Sequence, residues 1–186
     1  MIVVNLFGAP GSGKSTGAAY IFAKLKLAGI NAELVTEFAK DKVYERSEAV
    51  FENQLYILGK QSFRLSRLEK EVDVVVTDSP LLLSIYYNER TNADDDYKGE
   101  FACIAHHHHR RYTNYNYFIN RAKAYNPRGR FQTEEEADKI AEEQKTMYIN
   151  MLILNGEDIG QVPGSIEGYN SIALDVLGRL NNHGNV

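Results

Sequence analysis

The sequence predicts an α/β fold, a three-layer sandwich in which a parallel sheet of about five strands carries helices on both faces. Three observations carry that expectation. Short apolar runs such as Ile2–Phe7 and the valine-rich VDVVVTDSP suit strands buried on both sides, as parallel strands are. Helix-patterned segments separate these runs, which is the alternation that winds a parallel sheet. A glycine-rich turn, GAPGSGKST, lies between the first strand and the first helix, where sheets of this kind bind ligands.

Length and composition fit one domain spanning residues 1–186. The chain is 44% apolar and 25% charged with a formal net charge of −4, an ordinary globular profile with enough chain for a substantial core. No apolar run reaches the roughly 20 residues of a membrane span, so no membrane association is expected. MIVVNLF lacks a basic leader and runs straight into the glycine turn, so it reads as fold rather than signal peptide. The single cysteine, Cys103, excludes an internal disulfide and suits a reducing cytoplasm. The acidic balance argues against indiscriminate nucleic-acid binding while leaving room for a local basic groove.

The glycine turn is the most specific signal. Gly8, Ala9, Pro10, Gly11, Ser12, Gly13, Lys14, Ser15 and Thr16 form the phosphate-loop pattern, preceded by a strand and followed by a helix that closes at Gly29. Glycines let successive N–H groups point inward as an anion nest, and the helix N-terminus adds its positive end. Lys14 is placed to reach the β- and γ-phosphates of ATP and Ser15 to ligate Mg2+, which defines a P-loop NTPase fold.

NAELVTE, residues 31–37, reads as a second strand ending at Glu37. Residues 44–71 read as a long helix or a broken pair, with Leu55, Leu58, Leu65 and Leu68 at helical spacing for the core. The third strand ends in Asp78, Ser79 and Pro80. An aspartate there can cap a helix, but after a phosphate loop it is expected to hold Mg2+ directly or through water.

GAPGSGKST, VTEFAKD, NQLYILGKQ, VDVVVTDSPLLLS and NPRGRFQTEEEA together resemble the small phage-encoded P-loop kinases. These are related to nicotinamide riboside kinases and, more distantly, to deoxynucleoside and thymidylate kinases, and the group includes phage kinases acting on 5-hydroxymethyluracil in DNA. The resemblance spans nearly the whole chain. It implies a nucleoside/nucleotide-kinase-like fold and an ATP- and Mg2+-dependent kinase acting on a nucleoside- or nucleotide-type acceptor. A hydroxymethylated base within DNA is one alternative acceptor, and an ATP-hydrolysing switch without an acceptor is the other reading. Location is the cytoplasm, that of the host if the chain is phage-encoded.

By this resemblance Glu37 faces the acceptor hydroxyl and takes its proton or orients it, with Asp41 nearby. The plain alternative is a carboxylate complementing a helix dipole. Phe38 could stack on a base or join the core. Gln54 and Gln61 could reach a base edge or simply face solvent. Residues 121–133 form the expected lid, with Arg121, Arg128 and Arg130 closing on the transferring phosphate while Lys123 is solvated. Residues 117–119 would be the fourth strand. Thr133 followed by Glu134, Glu135 and Glu136 is a helix start, with Thr133 as N-cap and Glu136 in the capping-box position, for a helix over about residues 133–150. In similar kinases the loop after the last strand lies beside the adenine, which points to Val162, Pro163, Gly164 and Ser165. A closing helix is expected over residues 166–180, with a frayed NNHGNV end.

Residues 88–113 fit this outline least and read as an insertion or acceptor-side segment, beginning with an exposed loop around DDD. Within HHHHRRYTNYNY, His106 and His109 could share a helix face, but adjacent histidines point apart and make a poor chelate. Arg110, Arg111, Tyr112, Tyr115 and Tyr117 interleave basic and aromatic residues as single-strand binders do; the alternative is a helix packing its tyrosines on the sheet.

Overall fold

A computed structural model of the chain describes residues 1–92, 94–122, 124 and 133–183. The expected sandwich is present. β1 (Ile2–Phe7), β2 (Ala32–Val35), β3 (Val74–Thr77), β4 (Thr113–Asn120) and β5 (Ile159–Pro163) form one sheet in the order β2-β3-β1-β4-β5, with every pairing parallel. The chain leaves β1 toward β2 on one side and reaches β4 on the other. The carboxyl ends of β1 and its neighbours therefore open a crevice at the topological switch point.

Alternation along β1 divides the core. Val4 and Leu6 face α1 (Lys14–Leu27) and α7 (Ile166–His183), meeting Ile21, Leu25, Ile172 and Val176. Val3 and Phe7 face the opposite layer: α3 (Gln54–Ser66), α5 (Asp95–His109) and α6 (Glu134–Leu154), which contribute Leu58, Leu65, Phe101 and Tyr148. Phe7 and Tyr148 pack with ring centroids 4.9 Å apart. No helix among the described residues is long and apolar enough to cross a membrane.

Several boundaries differ from the sequence expectation. β2 stops at Val35, and Glu37 instead opens α2 (Phe38–Tyr44). Of the two readings of residues 44–71, the broken one holds: α2 is followed by a 3-10 turn at Glu48–Glu52 and then α3, whose start is capped by Asn53 accepting the Tyr56 N–H at 3.0 Å. Leu58 and Leu65 are buried as expected, while Leu55 is exposed on the outer face. β4 is longer than residues 117–119 because residues 113–118 pair with β1.

The segment around the aspartates is flanked and entered by helix where an exposed loop was expected. α4 (Leu83–Thr91) ends just before it, and the acidic run is the start of α5: Asp94 accepts the Tyr97 N–H at 3.1 Å, and Asp95 and Asp96 occupy the first turn. The negative charge in its first turn complements the α5 dipole. α6 begins with the expected capping box, Thr133 and Glu136 exchanging bonds of 2.8 and 3.2 Å with each other's backbone.

Candidate active site

The glycine turn wraps from β1 to α1 at the centre of the crevice. Gly8, Gly11 and Gly13 adopt φ of +142°, +82° and +99°, which L side chains rarely tolerate. Space is equally short: a Cβ would stand 2.7 Å from the Ile119 carbonyl oxygen at Gly8 and 2.3 Å from the Tyr169 hydroxyl at Gly13. α1 has Gly13 at its N-cap, no side-chain cap and no acidic residue in its first turn. The positive end of the α1 dipole is thus not offset by an acidic side chain of its own first turn and favours an anion there. Lys14 Nζ donates to the carbonyl oxygens of Gly8 at 2.5 Å and Ala9 at 3.1 Å, which hold the ammonium over the loop. Ser12 is buried and its Oγ has no hydrogen-bond partner among the described residues, whereas Ser15 and Thr16 are exposed.

Two carboxylates approach from neighbouring strands. Glu37 occupies the N-cap of α2, yet its side chain makes no capping bond, so the simple dipole role lacks its usual contact. Burial pushes its carboxyl group above the ordinary value of 4.5; the Lys14 charge pulls it back and the Asp78 charge adds to the rise. Lys14, Glu37 and Asp78, far apart in sequence, therefore share one electrostatic neighbourhood. Asp78 follows β3, is 3% exposed, and its Oδ1 has no hydrogen-bond partner among the described residues.

On the other side, Ala9, Pro10, Ser12, Ile119 and Arg121 line a cleft of about 320 Å³ with the first half of α6. Arg121 ion-pairs with Asp138 and with Glu134 at 3.7 Å, so part of the acidic helix start faces this arginine besides capping α6. Arg128 and Arg130, with Lys123 and most of the lid expected over 121–133, lie outside the described residues. Pro163 and Gly164 end β5 against the phosphate loop. Gly164 N–H donates to Asn120 at 2.8 Å, and a Cβ on Gly164 would stand 2.1 Å from the Ser12 carbonyl oxygen.

Two tyrosines that sequence reasoning passed over belong here. Tyr169 packs its ring on Gly17 and donates its hydroxyl to Gly13 O at 3.0 Å, bracing the loop from α7. Tyr87, on α4, has its phenol pushed up to about 12, by burial first and then by the Glu37 charge. Gln144 donates to its hydroxyl at 3.5 Å. An aromatic inside an amphipathic helix carries no local mark of such a position.

Other candidates are placed differently from the sequence expectation. Phe38 is buried, edge-on to Tyr56 with centroids 5.6 Å apart. Gln54 and Gln61 are buried rather than solvent-facing, and both amides bond to the protein. Tyr112, Tyr115 and Tyr117 are buried at and along β4, which removes them as base-stacking platforms. Arg110 is exposed, and Arg111 pairs with Glu69 at 2.7 Å. His109 is buried against Glu157 at 3.0 Å, and no group of three or more His, Cys, Asp or Glu able to hold a metal occurs among the described residues.

A family model described as an AAA domain matches residues 3–158. Among solved structures, that of deoxyadenosine kinase from M. mycoides with bound dATP is similar: TM-score 0.60 and 17% identity, covering 95% of this chain and 99% of that one. At that identity the likeness is one of fold. No curated protein sequence matches the chain.

Proposed function

We propose that this chain, which belongs to the AAA-domain family, is an ATP- and Mg2+-dependent phosphotransferase whose acceptor is a nucleoside- or nucleotide-type alcohol. One observation carries the reading. Glu37 lies in the field of Lys14 and Asp78 with its carboxyl group above the ordinary range and its side chain unused as a helix cap. A carboxylate raised in this way is a stronger base than a solvated one, and a cleft built only to bind or hydrolyse ATP has little need of it.

The transfer is written as an in-line displacement. The acceptor oxygen forms a bond to the γ-phosphorus, the bond from that phosphorus to the β–γ bridging oxygen breaks, and ADP leaves with the electron pair. Glu37 receives the acceptor's hydroxyl proton. Lys14 and the α1 N-terminus neutralise charge on the phosphoryl oxygens. The donor set suits a hard cation: Asp78 offers a buried carboxylate oxygen with no partner among the described residues, and Ser15 a hydroxyl at the head of α1. When bound there, Mg2+ supplies neutralisation of the β- and γ-phosphates. Arg121 lines the cleft on the other side of the phosphate loop, its charge balanced by Asp138 and Glu134. The sites assigned to Arg128 and Arg130, and the adenine-side role of Pro163 and Gly164, are part of the same proposal. The family description favours a second reading, an ATP-hydrolysing switch, which leaves Glu37 without a substrate.

ADP release from MgATP separates the two, measured with ribonucleosides, deoxyribonucleosides, their monophosphates and hydroxymethyluracil-containing DNA. Acceptor-dependent release is expected with a nucleoside or nucleotide. Release that no acceptor stimulates would establish the switch and overturn the phosphotransferase.

A further inference from the structure

Gln61 lies on the inner face of α3, 3% exposed, and its amide hydrogen bonds go to the residues flanking Glu37 and to the end of β3 just before Asp78. Its Oε1 accepts the Phe38 N–H at 3.1 Å. Its Nε2 reaches the Thr36 carbonyl oxygen at 3.4 Å and Thr77 Oγ1 at 3.5 Å. The Thr36 carbonyl belongs to the peptide before Glu37, and the Phe38 N–H to the peptide after it. One rigid amide plane thus holds both peptides that flank the Glu37 Cα, and so fixes the direction in which its side chain leaves the backbone. Thr77 directly precedes Asp78, which ties the same amide to the other carboxylate's strand end.

Chemistry selects glutamine here. A donor and an acceptor on one side chain are needed; an ionised glutamate would only accept, and would repel Glu37. Phe38 N–H is also among the donors that a helix start leaves without an intrahelical partner. Because Gln61 satisfies it from α3, Glu37 can stand at the N-cap with its carboxylate uncommitted. Arg64, one turn along α3, reinforces the clamp by donating to Thr36 O at 2.9 Å and to Asp41 at 2.8 Å.

We propose that Gln61 is a positioning residue for the transfer reaction, holding the Glu37 turn against the end of β3 so that Glu37 faces the phosphate cleft. The inference rests on the phosphotransferase reading of Glu37. The test compares wild type, Gln61→Met, which keeps length without hydrogen bonds, and Gln61→Asn, which keeps the amide on a shorter stem. Transfer from radiolabelled ATP to a ribo- and deoxyribonucleoside panel is measured alongside hydrogen exchange of the Phe38 amide by NMR.

Both variants should speed Phe38 exchange and lower kcat by about 100-fold, the cost of a misplaced catalytic group, with KM for MgATP unchanged. In a Glu37→Gln background the same substitutions should lower kcat no further, because Gln61 acts through Glu37. Unchanged Phe38 exchange overturns the inference, and so does a full additional loss in the Glu37→Gln background or an unchanged kcat. Absence of wild-type transfer to any nucleoside defeats the phosphotransferase reading instead, and Phe38 exchange then still decides whether the clamp exists.

Discussion

Glu37 and Glu157 are two partly buried glutamates in one molecule, and their surroundings push them in opposite directions. Burial raises both. At Glu157 the bonds from His109 Nε2 at 3.0 Å and Asn116 Nδ2 at 2.9 Å outweigh it, so that carboxyl group falls below its ordinary value. The network continues inward: Asn5 Nδ2 donates to Asn114 Oδ1 at 2.9 Å and Asn116 Oδ1 at 3.0 Å, and Asn114 donates to the carbonyls of His109 and Tyr112. At Glu37 burial wins, and the Asp78 whose charge adds to the rise has an Oδ1 with no hydrogen-bond partner among the described residues. A polar cluster whose partners come from the chain holds strands together. One that leaves desolvated oxygens unmet is stabilised when a ligand or cation supplies what is missing.

The largest effect that tests this contrast is Glu37→Gln, expected to slow transfer by about 10²–10⁴-fold while ATP affinity is kept. The same substitution should raise thermal stability at alkaline pH. A carboxyl group whose folded value lies above its unfolded one binds protons better when folded, so its contribution declines as pH rises from 4.5 through the raised value. Glutamine removes that penalty, and the gain should fade in acid. Thermal midpoints at pH 4 and pH 8 check the sign; a lower midpoint at both would put Glu37 with the scaffold.

Lys14→Met follows, at about 10²–10³-fold in transfer, with the nucleotide-induced rise in thermal midpoint lost as well. That second readout distinguishes Lys14, which meets phosphate before and during transfer, from Glu37, which acts on the acceptor.

Glu157→Gln should show the reverse pattern: stability falls by about 1–3 kcal/mol near neutral pH and transfer is unchanged. Its folded value is lowered, so its contribution is present above the unfolded value of 4.5 and lost as pH falls through the lowered one. Denaturant unfolding at neutral and acid pH measures it. A loss of transfer without loss of stability would break the division between the two clusters.

What the sequence made legible divides along similar lines. The phosphate loop needs contiguous residues (glycines at the strained turns, a lysine and a hydroxyl opening the helix), so it can be read as a string. The parallel sheet was legible from its apolar runs. The string marks Gln61 only as a residue that could reach a base edge; its hold on the Glu37 turn was not legible, because what marks it is contact with Thr36, Phe38 and Thr77, all distant in the chain. Tyr87 and Tyr169 are likewise defined by what they touch across the fold. The aspartates at 94–96 misled because a polar run looks the same in an exposed loop as in the capped start of a helix. The histidine run reads as a poor chelate, but nothing in the string shows that His109 is a buried partner of Glu157.

The smallest expected effect concerns α6, where the Thr133 cap and the Arg121 pairings with Glu134 and Asp138 lie close together in sequence. Thr133→Ala removes the acceptor of the Glu136 N–H and should cost about 1 kcal/mol of stability. Transfer should hold, since among the described residues Thr133 makes no bond into the cleft and the Arg121 partners lie on later residues of the helix. Glu135→Ala, which touches neither the box nor Arg121, should change neither quantity by a measurable amount. If Thr133→Ala slowed transfer at temperatures where the fold is intact, the start of α6 would move from the scaffold side of the comparison to the open one. The stability of a helix end would then be coupled to how Arg121 meets the cleft.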